Sequence, residues 1–224
     1  PAFSIARVIG DTGHVTATDL SGDMLNISID RAKEEGIRNI DFRVADAHEL
    51  PFQDDQFDRV VSRLGLMYFW DISTAVQEIF RTTKPGGQVS FVVWGAPEKN
   101  RFLSDIIAPF MQFKEMPEPP EDAPTPMRFG DVTKLIQYFS EAGFTEISTQ
   151  EYVEPLPWPG TPKQLFEQVY DVAVPLQPYF DSFDERTKNI ALDEIESSFK
   201  AVWDGEYTRA LGAFNVLSAR KPRL

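Results

Sequence analysis

The stretch HVTATDLSGDMLNISIDRAKEEGIRNIDFRVADAHELP, residues 14–51, decides the fold. Residues 14–19 are rich in β-branched side chains and end at Asp19; residues 40–46 run from Ile40 to Asp46 with the same character. Between them Met24, Leu25, Ile27, Ile29 and Ala32 supply an apolar face, and Lys33, Glu34 and Glu35 form a charged end before Gly36. Strand, amphipathic helix and strand at this spacing make a βαβ unit, with a right-handed crossover between parallel strands. Both strands close on a carboxylate. Ligands bind beyond the carboxyl ends of parallel strands, so Asp19 and Asp46 are expected to face one crevice.

The chemistry of those two positions narrows the ligand. A carboxylate ending a second strand accepts hydrogen bonds from both hydroxyls of a ribose. A second carboxylate one strand over accepts from an exocyclic amine such as that of adenine. Met24, one turn into the helix, offers a polarizable surface for a flat ring. Each residue also has a plainer reading. Asp19 is equally placed with Ser21 to cap the helix, and Met24 is equally suited to a core position.

Outside this unit, residues 3–9 carry a helical pattern and residues 10–13 (GDTG) are turn chemistry. The chain starts inside this helix, so a preceding strand is expected to be missing. After a polar loop, residues 57–62 read as a third strand and residues 72–82 as a helix with Ile72, Val76, Ile79 and Phe80 inward. KPGG at 84–87 is expected to end that helix in a sharp turn, followed by a strand over 88–94. This order is that of a doubly wound α/β sheet. Residues 96–130 combine an apolar helix with a proline-rich run and read as a lid. A capped helix over 131–142 and a strand over 144–152 follow, and the prolines of 155–162 are expected to break the pattern. Two acidic helical stretches over 165–203 precede a closing strand over 211–220. The expected organisation is therefore one domain over 1–224. It comprises a ligand-binding core (1–95), a lid (96–130), the rest of the sheet (131–153 and 209–222) and a helical insertion (154–208).

Composition excludes several classes. The 224 residues hold no cysteine and two histidines, so disulfides, thiolate metal sites and histidine-rich metal sites are out of reach. A formal charge of −13 argues against a nucleic-acid partner. No apolar run approaches the roughly 20 residues that span a bilayer, and no basic-then-apolar leader opens the chain. A cytoplasmic location is the expectation.

Five segments carry a family resemblance: TATDLSGDML (16–25), VADAHELPF (44–52), FDRVVSRLGLMYF (57–69), TKPGGQVSFVVW (83–94) and GAFNVLSARKP (212–222). In this order and spacing they resemble the class I S-adenosylmethionine-dependent methyltransferases, in the small-molecule branch that includes the quinone C-methyltransferases. The resemblance implies a Rossmann-like, mostly parallel sheet with an antiparallel last strand. It implies that Asp19 holds the ribose of S-adenosylmethionine, with Leu20 and Met24 beside the adenine. Asp46 and Ala47 would bind the adenine edge, and Ser62 and Arg63 would line the methionine part. The family's acidic-x-Gly-x-Gly loop would lie just upstream of residue 1. Quinone methyltransferases of this branch carry an arginine where this chain has Met67, which argues against a quinone acceptor.

The expected activity is direct in-line methyl transfer to a small, partly apolar molecule. His48 is a candidate base, though a lone histidine past a strand end is more often a surface or ligand-edge residue. Met67, Tyr68, Trp94 and Phe129 are candidate walls of the acceptor pocket, or else plain core. Two rivals stand beside this reading. One is a nicotinamide-dependent oxidoreductase, which shares the acid at the second strand's end but leaves the reversed last strand unexplained. The other is a non-catalytic interaction protein using the acidic helices of 165–203, and a homodimer is compatible with either.

Overall fold

In the computed structural model the first half of the chain folds as α1 (Ala2–Ile9), β1 (Val15–Asp19), α2 (Gly22–Glu34), β2 (Ile40–Val44), β3 (Phe57–Arg63), α3 (Ile72–Thr82) and β4 (Thr83–Trp94). There follow α4 (Arg101–Met111), α5 (Thr133–Glu141), β5 (Thr145–Pro159), α6 (Pro162–Val172), α7 (Gln177–Asp181), α8 (Glu185–Phe199) and β6 (Tyr207–Arg220). Residues 1–118, 120 and 123–223 are described; Pro119, Glu121 and Asp122, within the proline-rich run read as part of a lid, lie outside them. The strands form a two-stranded sheet, β1-β2, and a four-stranded sheet in the order β3-β4-β6-β5. Both β1 with β2 and β3 with β4 are parallel. The last strand, β6, is antiparallel to β4. Lys221 bonds Gly86 and Gly87, while Ala213 bonds Gly95. No helix among the described residues is long and apolar enough to cross a membrane.

The chain divides into two compact units, residues 1–92, 133–149 and 217–224 in one and residues 93–132 and 150–216 in the other. In the first unit α1 and α2 cover the β1-β2 sheet, with Ala6, Ala32 and Ile40 buried together. The Asn39 amide donates to the carbonyls of Ala6 and Gly10 and fastens the end of α1 to the start of β2. The apolar face of α2 is narrower than its composition suggests. Leu25 and Ala32 are buried, but Met24 and Ile27 are exposed. Leu25, Ile29 and Ala32 share an i, i+4, i+7 stripe, and Met24 and Ile27 belong to the next one round.

The structure corrects two further expectations. KPGG is no turn between elements: β4 starts directly after α3, at Thr83, and absorbs the four residues beside a register shift. Gly86 has φ +78°, and a Cβ on Gly87 would lie 2.7 Å from the Lys84 carbonyl, so the glycines make the irregularity possible. Nor do the prolines after residue 154 end a strand, because β5 runs on to Pro159. β5 is an edge strand paired only with β6, and Gly160 donates to the Glu206 carbonyl. By alternation, Pro155, Pro157 and Pro159 then turn their missing donors away from β6.

The loop between β2 and β3 is fastened to α3 by one arginine. Arg81 donates to the carbonyls of Phe52 and Leu50 and to the carboxylates of Asp54 and Glu78. Glu78 in turn accepts the Leu50 amide at 2.8 Å. The Arg81 guanidinium, more than any other neighbour, holds the Glu78 carboxyl below its ordinary range.

In the second unit α4, α6, α7 and α8 pack around Phe102, Ile106, Phe110, Leu165, Phe180 and Phe199. Residues 101–111, read as lid, therefore supply the interior of a helical cluster. Asn100, fully buried, closes the end of β4: it donates to the carbonyls of Gly95 and Ala96 and accepts the Ala213 amide at 2.8 Å.

Stability measurements test both anchors. Arg81→Met is expected to cost about 1–3 kcal/mol at neutral pH, because it strands Glu78 and two carbonyls. The lowered Glu78 pKa contributes stability above its unfolded value of about 4.3, lost as pH falls through the folded value. The gap between variant and wild type should therefore narrow towards pH 3 in urea titrations. Asn100→Leu, which leaves the buried Ala213 amide without an acceptor, is expected to lower stability by about 2–3 kcal/mol.

Candidate functional site

The carboxyl ends of β1 and β2 lie side by side. The Ala45 amide donates to the Asp19 carbonyl at 3.0 Å, one step past the Asp19–Val44 pair that ends the ladder. Asp46 stands one residue further on, beyond the end of β2. Ser21 caps α2, its hydroxyl accepting the Met24 amide. Asp19 is thereby released from that task. One of its oxygens accepts the Ser21 amide at 2.9 Å, and its other oxygen has no partner among the described residues.

Beside Asp19 lies an exposed apolar shelf. Leu20 is 71% exposed, Met24 57% and Val44 56%. A Cβ on Gly22 would meet Val44 at 3.8 Å, so the first turn of α2 rests against that valine. Three large apolar side chains left more than half exposed next to an under-used carboxylate suit a flat ring joined to a polyol.

Asp46 closes the other side. The backbone N–H and ring Nδ1 of His48 both reach its Oδ1, at 2.9 and 2.5 Å. Those two contacts, the backbone one first, hold the Asp46 carboxyl below the ordinary range. Glu49 returns to the Asp46 carbonyl in a tight turn, and the Ala47 amide meets no acceptor among the described residues. A carboxylate oxygen and a backbone amide are thus both available at this edge. The His48 side chain is only 11% exposed. It stacks on Trp70 at 4.4 Å, and its Nε2 accepts the Asp71 amide at 3.2 Å. Both ring nitrogens are engaged, which leaves His48 no free lone pair for a substrate proton.

Ser62 and Arg63 end β3, the next strand of the unit with a free carboxyl end. Leu64 turns the chain at φ +58° and donates to the Val92 carbonyl. Of the expected pocket walls in this unit, Met67 is fully buried and Tyr68 about half exposed. Trp94 and Phe129 belong to the second unit. There Trp94 stacks on Phe214 and meets Phe102 at a tilt, and Phe129 is buried with its carbonyl accepting from the Asn215 amide.

A broad, open depression of about 570 Å³ lies at the opposite, amino ends of β1 and β2, lined by Asp11, Thr12, Gly13, His14, Arg38 and Asn39. The Asn39 amide is already spent on backbone carbonyls there, and a parallel sheet does not bind at that end.

A family model, that of the ubiE/COQ5 methyltransferase family, matches residues 1–117. The chain belongs to this family. The demethylmenaquinone methyltransferase of Listeria welshimeri is 30% identical over 155 residues, which cover 65% of this chain and 66% of the relative, just under two thirds. Among solved structures, a protein of Bacillus halodurans C-125 superposes with a TM-score of 0.59 at 20% identity, over 99% of this chain and 89% of the other. Phosphoethanolamine N-methyltransferase 2 of Haemonchus contortus, solved with phosphomonomethylethanolamine and S-adenosylhomocysteine, gives 0.54 at 20% identity, over 97% of this chain and 46% of that one. At such identities the superpositions establish the fold.

For this ubiE/COQ5 family member the sequence pointed to the residues at both strand ends but missed what holds them. Trp70, Asp71 and Arg81 lie more than twenty residues from the groups they fix, and nothing in the pattern around residues 46–52 announces them. Since the shelf is surface, Leu20→Ser and Met24→Ser are expected to shift the unfolding free energy by less than about 0.5 kcal/mol. A larger loss in urea titration would show that these side chains are core.

Proposed function

We propose that the protein is an S-adenosylmethionine-dependent methyltransferase acting on a small, partly apolar acceptor. The observation that carries this reading is the exposed apolar shelf of Leu20, Met24 and Val44, flanked by two carboxylates that each keep an oxygen free. The donor set fits an adenosine. Asp19 would accept from the ribose hydroxyls and Asp46 from the adenine amine. The Ala47 amide would donate to the ring edge, and the shelf would cover its face. Ser62 and Arg63, at the end of β3, would line the amino-acid end.

When bound, the cofactor supplies a methyl carbon already activated as a sulfonium, so alignment of the acceptor supplies most of the remaining catalysis. The chain's own work is then to orient the adenosine and to exclude water. His48 has no role as a base in this scheme, because Asp46 and the Asp71 amide occupy its nitrogens. Met67 is buried and uncharged; since the family resemblance implies an arginine at this position in the quinone enzymes, it favours an acceptor other than a quinone.

Calorimetry with S-adenosylhomocysteine tests the reading. Wild type is expected to bind in the micromolar range, and Asp19→Asn about tenfold more weakly with unchanged unfolding, in line with a charge-assisted hydrogen bond. No heat at high micromolar ligand would reject it.

A further inference from the structure

We propose that His48 is a positioning residue for the carboxylate of Asp46, locked in one tautomer by the backbone of the neighbouring loop. The inference rests on Asp46 being the partner of the adenine amine. The Asp71 N–H can only donate, so the Nε2 that it meets at 3.2 Å carries no proton. The proton of the neutral ring is therefore on Nδ1, where it is donated to Asp46 Oδ1 at 2.5 Å. Trp70 stacked at 4.4 Å and the edge of Phe69 at 5.8 Å fix the ring plane. Asp71 is itself held, since its carboxylate caps α3 by accepting the amide and hydroxyl of Thr74 at 3.0 and 2.6 Å.

The chain of contacts runs from the start of α3, through the Asp71 amide and the imidazole, to a single oxygen of Asp46. It has a geometric consequence. With Oδ1 taken twice by His48, the carboxylate cannot rotate freely, and Oδ2 is the oxygen left for a ligand. His48 also ties the loop after β2 to the loop after β3, the two loops that end at the two halves of the proposed cofactor site. A histidine with two committed nitrogens acts through Asp46 and touches no reacting atom.

Amide substitutions separate the two halves of this bridge. His48→Asn places a donor near the position of Nδ1, and His48→Gln places an acceptor near that of Nε2. His48→Asn is expected to keep S-adenosylhomocysteine affinity within about threefold of wild type, while His48→Gln and His48→Ala lose about tenfold, the size of one oriented charge-assisted bond. Stability should follow the other order, with His48→Gln, which keeps the Asp71 contact, the least destabilised. If affinity instead falls in step with stability across the three variants, the ring is merely structural and the proposal is overturned. A second readout needs no ligand. In carbon-detected NMR titration the Asp46 carboxyl is expected to titrate higher in His48→Ala and His48→Gln than in wild type or His48→Asn. An Asp46 titration indifferent to residue 48 would overturn the proposal by itself. Failure of wild type to bind the cofactor analogue with the Asp46 shifts intact would instead count against the methyltransferase reading alone.

Discussion

The parallel ladder between β1 and β2 is the constraint on which the candidate site depends. Its register, from Val15 opposite Ile40 to Asp19 opposite Val44, brings two carboxylates more than twenty residues apart to one edge. Successive side chains of a strand point to opposite faces, so a slip of one residue would turn one strand's end to the other face and dissolve the arrangement. Asn39 at one end and the Ala45–Asp19 hydrogen bond at the other hold the register against such a slip.

Beyond the strand ends, side chains rather than regular structure fix the backbone. The loop after β2 has few backbone bonds of its own, and two residues supply what it lacks. His48 joins its first turn to the Asp71 amide, and Arg81 takes the carbonyls of Leu50 and Phe52. Both anchors reach α3 or its N-terminus. A helix remote from this loop in sequence thus sets the geometry of the segment that carries Asp46, and a rigid element is the better support for a carboxylate that must hold one orientation. Against this, surface pairs such as Lys33 with Asp30 are solvated and contribute little.

The second unit obeys ordinary packing rules. Its aromatic interior explains why residues 101–111 are so apolar, and the edge position of β5 explains how three prolines lie within a strand. Both features looked anomalous along the chain because their partners, α8 and β6, come about fifty or more residues later.

The sequence by itself determined the βαβ unit, the two strand-end carboxylates, the reversed last strand through its family resemblance, and most helices. These depend on local periodicity or on short segments whose chemistry is self-contained. Tertiary structure decided which stripe of α2 is buried, leaving Met24 in water, and it assigned the helix cap to Ser21 so that Asp19 is released. It also committed both nitrogens of His48. Each of these outcomes is settled by a partner distant along the chain, or by competition between two near neighbours for one hydrogen bond, and no local pattern encodes either.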